Sequence, residues 1–225
     1  MKSNTYIFDA KTIGVPLLIV FLMWFVFWVE MRFHTDFTKY GLEPQTVSGL
    51  LGILTSPFIH SGFSHLWSNT IPMLILSVSL MYFYRFISIK VLIYGILLTG
   101  VLTWGIGRNS FHIGASGLVY MLASFLFFKG IFTKYYKLIA LSFTVVFLYG
   151  SLVWYLFPVD PNISWEGHSS GAMAGLILAI LMKSKVVPEK KYNWQQPEYN
   201  ATEDLFMQQF DEEGNFSPLK PDEEE

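Results

Sequence analysis

Apolar stretches divide this chain more sharply than any single motif does. Six runs lack Asp, Glu, Lys and Arg altogether: 18 residues from Thr12 to Val29, 41 from Pro44 to Tyr84, 17 from Val91 to Gly107, 20 from Asn109 to Phe128, 22 from Leu138 to Val159 and 16 from Gly167 to Met182. A bilayer core about 30 Å thick is crossed by about 20 mostly apolar helical residues. Five of the runs each predict one span, the last of them tightly. The 41-residue run is long enough for two spans. Its first half, however, reads PQTVSGLLGILTSPFIHSGF and is rich in Ser, Thr, Gly and Pro. That half predicts a loop that dips toward the membrane without crossing it, followed by one helix from about Ser64 to Tyr84. The count is six helices, with seven as the alternative. No internal repeat is evident, which argues against transporter architectures built on duplicated halves.

Composition agrees with that pattern. Charged residues make up 14% of the 225 residues, where a soluble domain carries about 25%. A disordered chain is excluded and a soluble single domain is disfavoured. Aromatic residues, at 18%, suit interfacial belts and helix packing. Cysteine is absent, so there are no disulfides, thiolate metal sites or cysteine nucleophile.

Charge adds orientation. Residues 1–182 hold ten Lys/Arg against six Asp/Glu, and residues 183–225 hold five against eleven. With six spans both termini share a side. That side collects Lys2, Lys11, Arg85, Lys90, Lys129, Lys134, Lys137, Lys183, Lys185, Lys190 and Lys191, and the other only Arg32, Lys39 and Arg108. The positive-inside rule makes both termini cytoplasmic. The first run follows Lys2 and Lys11, is too long and aromatic for a signal-peptide core, and has no small-residue cleavage site after it. The expected organisation is a six-helix transmembrane domain over residues 1–185 and an acidic, disordered cytoplasmic tail over residues 186–225, with one short amphipathic turn near DLFMQQF. The Asn200–Thr202 sequon lies on the wrong side for glycosylation.

Polar side chains inside such a body are costly and are functional candidates. They gather in HSGFSHLWSN (His60 to Asn69), HIGASG (His112 to Gly117), at Tyr120, and in GHSSGAMAG (Gly167 to Gly175). Ser116 precedes Lys129 by 13 residues, roughly 20 Å of helix. That puts it about 10 Å below the outer surface of a 30 Å core. His168 precedes Lys183 by 15 residues, roughly 22 Å, and falls at a similar depth. A serine nucleophile and a histidine base need such shared depth, since they must approach to about 2.6–3.2 Å. Gly167, Gly171 and Gly175 line one face of the last helix, and small faces let two backbones come close. Gly114, Ala115 and Gly117 leave the backbone N–H groups beside Ser116 open at a helix N-terminus. His65 and Asn69, four apart, share a face and both donate hydrogen bonds.

Each feature also has a plain reading. Small residues are ordinary membrane packing, and a lone histidine at a helix start is commonly satisfied or water-facing. His60, His65 and His112 could instead bind a metal, although no carboxylate lies near them in sequence and their spacing fits no metal motif. What favours chemistry is the co-occurrence of all the parts, in order and at one depth.

Together, TSPFIHSGFSHLWSN (55–69), HIGASG with Tyr120, and GHSSGAMAG (167–175) resemble the rhomboid family of intramembrane serine proteases. The resemblance implies an all-α, polytopic membrane protein with a six-transmembrane-helix, rhomboid-like bundle over about residues 12–183. It implies Ser116 as nucleophile, His168 as base, and His65 and Asn69 as oxyanion donors with the Ser116 backbone N–H. His60 resembles a structural histidine that fixes the loop, and Tyr120 the tyrosine packed against the base; Gly114, Gly171 and Gly175 support the site. No metal or other cofactor is implied. The implied substrates are transmembrane-helix proteins in membrane lipid, not nucleic acid, cut near the extracytoplasmic face of a bacterial inner membrane. Separately from the resemblance, helix five and the Pro158 to Glu166 loop are candidates to admit substrate laterally or act as a lid. Two departures stand out: Leu50, Leu51 and Gly52 replace the family's frequent Trp-Arg pair, and Leu80, Met81 and Tyr82 replace its late acidic residue and Arg. Glu166, two residues before His168, is expected in the loop and is not promoted to a triad. Two other readings remain: a non-catalytic relative that binds transmembrane helices, and a histidine-based metal transporter.

Overall fold

The fold is taken from a computed structural model, which describes residues 9–134, 136–148, 153–161, 163–183, 192–211 and 213–217. Residues 6–186 form one compact unit and the C-terminal stretch from Val187 belongs to another. The expected boundary at 185/186, Lys2, Lys185, Lys190, Lys191 and the terminal PDEEE lie outside the described residues.

Every named element of the first unit is helical: α1 (Ala10–Phe33), α2 (Gly52–Thr55), α3 (Phe63–Phe83), α4 (Ser88–Ile106), α5 (Ser116–Thr133), α6 (Tyr136–Leu148) and α7 (Trp165–Leu181). Four of them, α1, α3, α4 and α5, have the length and apolar composition to cross a membrane. With 13 and 17 residues, α6 and α7 are shorter. The protein is thus an all-α, multi-span membrane protein.

Helix α1 begins where the side chain of Asp9 accepts the Thr12 N–H at 2.9 Å, half of a reciprocal cap, and such caps satisfy amides a helix start leaves bare. Leu17, Leu18, Phe21, Phe25 and Trp28 stand exposed along it. In a bilayer that is a lipid-facing surface, not a defect. The opposite side leans on α3, where Trp24 Nε1 donates to Thr70 Oγ at 3.0 Å.

At the centre lies α5. Val119, Met121, Leu122, Phe125 and Leu126 are buried all round it, and it packs against α3, α4, α6 and α7. A helix apolar on every face is what a bundle centre demands. Against α7 the approach is closest. A Cβ added at Gly171 would overlap the carbonyl of Gly117, and one at Gly175 would overlap the backbone of Met121 and Phe125. At the far end, Lys129 is buried. Its Nζ donates to the Ala179 carbonyl at 2.9 Å and also to that of Met182, capping carbonyls that a helix end leaves unpaired.

Three of the charge-free runs are helical over only part of their length. The dipping loop is a chain of short helical turns over residues 48–58, with single 3₁₀ turns either side of α2. At 11 residues, roughly 16 Å of rise, it is too short to span. The fourth charge-free run becomes helical only at Ser116, because His112 exchanges backbone bonds with Leu42 and Gly114 takes a left-handed φ of 106°. Within the fifth run, α6 is helical to Leu148 and Trp154–Leu156 form a single 3₁₀ turn before Pro158; residues 149–152 lie outside the described set.

The second unit contains two 3₁₀ turns, Asn193–Gln195 and Met207–Gln209, and an isolated bridge between Phe210 and Phe216.

Candidate active site

Ser116 opens α5 and His168 lies in the first turn of α7. Gly171 follows His168 by three residues and makes the backbone contact with Gly117 described above. That contact lets a short serine side chain reach a histidine on another helix. His168 Nε2 lies 2.8 Å from Ser116 Oγ. The other ring nitrogen, Nδ1, lies 2.9 Å from the Tyr155 carbonyl. A carbonyl only accepts, so Nδ1 carries the proton and Nε2 presents its lone pair to the serine hydroxyl. Tyr120 stacks on the imidazole with ring centroids 4.3 Å apart and planes 16° from parallel. The imidazole is thus held by a hydrogen bond at one edge and by a ring on one face.

Ser116, His168 and Tyr120 face a cavity of about 590 Å³, into which His65 and Asn69 of α3 also project. Asn69 is buried and donates to the His65 carbonyl at 3.0 Å. Ser61 Oγ lies 3.1 Å from His65 Nδ1. Behind this ring is Gly114, where an added Cβ would stand 2.6 Å from two ring atoms of His65. His60 is buried below and donates from Nδ1 to the Phe58 carbonyl at 3.3 Å. Its Nε2 accepts the Ala115 N–H at 3.4 Å. His60 therefore ties the loop before α3 to the residue preceding Ser116. The first intrahelical bond at the start of α5 belongs to Leu118, so the N–H groups of Ser116 and Gly117 fall among those a helix start leaves unpaired.

A second serine–histidine pair borders the same cavity. His112 Nδ1 lies 2.5 Å from Ser164 Oγ, and His112 Nε2 donates to the Arg108 carbonyl at 3.1 Å. Ser164 Oγ also accepts the Gly167 N–H at 3.2 Å as the N-cap of α7. That oxygen is engaged with a backbone amide, whereas Ser116 Oγ has His168 Nε2 as its partner. Burial lowers the pKa of His112 below its ordinary value, which suits a neutral ring that accepts from a hydroxyl.

Glu166 is where sequence reasoning fell short. It lies within α7, not in the loop, and is 2% exposed. Its Oε1 accepts the Arg108 N–H at 3.3 Å and faces Arg108 Nε at 3.7 Å. Tyr155 was also missed, because it acts through its backbone carbonyl, which no side-chain pattern announces. Among the described residues, no group of three or more His, Asp or Glu is placed to hold a metal ion.

A hydroxyl and an imidazole in hydrogen-bond contact at a cavity inside a helical membrane bundle are the parts an intramembrane serine protease requires. A rhomboid domain model matches residues 47–185. An uncharacterized protein of Mycobacterium bovis is 33% identical over 201 residues, covering 84% of this chain and 80% of its own length. One from Mycobacterium tuberculosis gives the same figures, 33% over 201 residues with 84% and 80% covered. One from Mycobacterium leprae is 31% identical over 191 residues, covering 79% of this chain and 73% of its own. The chain belongs to the rhomboid family, and it is a serine endopeptidase of the intramembrane type.

Proposed function

We propose that Ser116 is the nucleophile and His168 the general base of this protease, acting on transmembrane helices. The observation that carries the assignment is the 2.8 Å contact between Ser116 Oγ and His168 Nε2, with Nδ1 bound to the Tyr155 carbonyl. Ser116 Oγ attacks the scissile carbonyl carbon while its proton passes to Nε2. The resulting imidazolium keeps its Nδ1–H on Tyr155. His65, Asn69 and the N–H groups at the start of α5 face the developing oxyanion. Nε2–H then protonates the departing amine, and water, deprotonated in turn by His168, opens the acyl-enzyme.

We read the fold as six spans, α1, α3, α4, α5, α6 and α7, with both termini cytoplasmic and the cavity open to the extracytoplasmic side of a bacterial inner membrane. The lysine distribution supports this orientation. Residues 1–185 are the protease domain and residues 186–225 an accessory tail.

The test is cleavage of a single-pass substrate in reconstituted bilayers, beside labelling by a fluorophosphonate. Ser116→Ala abolishes both while the protein remains folded. If cleavage persists in that variant, Ser116 is not the nucleophile. Substrate association with no labelling of the wild type would instead indicate a helix-binding relative without catalysis.

A further inference from the structure

The glycine contact between α5 and α7 brings Ser116 and His168 near each other, and further along Ser124 Oγ donates to the Ala172 carbonyl at 2.6 Å. Neither contact lies N-terminal to His168, where the rotation and axial register of the first turn of α7 are set. The 2.8 Å contact needs both, because a catalytic misplacement of 1 Å is costly.

Above the pair, the chain leading to Ser116 and the start of α7 are fastened together. Arg108 Nη2 donates to the Ile163 carbonyl at 2.7 Å. Arg108 N and Nε both face Glu166 Oε1. His112, four residues before Ser116, holds the N-cap Ser164 and the Arg108 carbonyl. The same histidine is joined by two backbone bonds to Leu42 of the first loop. Further along α7, His168 Nδ1 and Ser169 Oγ donate to the Tyr155 and Leu156 carbonyls.

Stability alone does not account for this arrangement. The Glu166 side chain is 3% exposed, and its Oε2 is buried without a hydrogen-bond partner among the described residues. A carboxylate buried with an unmatched oxygen against a partner that is itself 38% exposed is a weak source of stability, while its directional bonds specify one geometry. We propose that Arg108 and Glu166, backed by His112 and Ser164, form a clasp that sets the rotation and register of α7 and so positions His168 against Ser116. Arg108 and Glu166 are positioning residues that act through the helix start; Arg108 also borders the cavity, so KM is read separately from kcat. The inference rests on Ser116 and His168 being the reacting pair.

The experiment compares wild type, Glu166→Gln, Glu166→Asp, Arg108→Gln and the Glu166→Gln/Arg108→Gln double variant in bilayers. It reads the fluorophosphonate labelling rate, kcat, KM and thermal midpoint. Each single Gln variant slows labelling and kcat about 10-fold or more, with KM within about 2-fold and the midpoint little changed. Glu166→Asp recovers part of the rate. The double variant is no worse than the poorer single one, as expected when two residues act as a unit. Wild-type rates in Glu166→Gln and Arg108→Gln would overturn the clasp, as would rate losses that only track a lowered midpoint. Should Glu166→Gln not fold, the Arg108→Gln rate and KM decide alone. Ser116→Ala runs alongside: labelling of that variant would overturn the nucleophile assignment, whereas normal labelling of Glu166→Gln overturns the clasp only.

Discussion

Gly114 carries two constraints at once. Its φ of 106° is a conformation that side chains rarely adopt, and a Cβ there would enter the His65 ring. Gly114→Ala therefore strains the backbone beside Ser116 and pushes His65 off its position. The expected result is a fall in kcat of about 10²-fold, the scale of losing one oxyanion donor, with the protein still folded; turnover of a reconstituted substrate checks it. His60 gives a pH prediction. Burial, aided by the neighbouring His65, lowers its pKa from the ordinary 6.5 to about 4. The folded protein keeps His60 neutral while the unfolded chain takes up a proton below about 6.5. The stability His60 contributes is thus complete above about pH 6.5 and declines as pH falls toward 4. Thermal midpoints at pH 7.5 and pH 5 should differ, and by less in His60→Gln. At this scale the sequence was readable wherever a local spacing carried the information. His65 and Asn69 are one helical turn apart, as are Ser116 and Tyr120, and each pair borders the one cavity. Glu166 was not readable, because its partner Arg108 is 58 residues away and nothing in its own neighbourhood marks it as buried.

At the scale of elements, the charge-free runs gave helix existence well and helix ends poorly. Ser64 to Tyr84 was expected and Phe63–Phe83 is found. The 109–128 run is helical only from Ser116, the helix start expected there, because absence of charge does not distinguish a helix from an apolar loop that lies inside the bundle. There, the Leu42–His112 bridge satisfies backbone groups that a helix would otherwise have paired, as any buried segment requires. Lys129, counted among the lysines of the cytoplasmic side, has a second role: it is buried and turned onto the end of α7. Lys129→Met leaves the Ala179 and Met182 carbonyls without that donor. The expected cost is about 1–3 kcal/mol, read as a lowered unfolding midpoint in detergent. Labelling of the protein that stays folded changes little, because the loss is at the opposite end of α7 from Ser116.

The whole molecule offers a direct way to test orientation. The chain has no cysteine, so one introduced thiol reports one position without background. In intact cells, Ser110→Cys, in the connection between α4 and α5, should react with a membrane-impermeant maleimide. Lys134→Cys, in the turn after α5, should react only after the membrane is opened. Reversal of that pattern would invert the proposed topology.

Ser116 and His168 lie 52 residues apart, and α7 is the last helix of the first unit to leave the ribosome. Chains emerge N-terminus first. On the proposed assignment, helices α1 to α5 therefore enter the membrane carrying a nucleophile whose base is still to come. The backbone contact at Gly117 and Gly171 would then also be a timing device: proteolysis would begin only after α7 has docked, leaving an unfinished chain harmless to the helices inserting beside it.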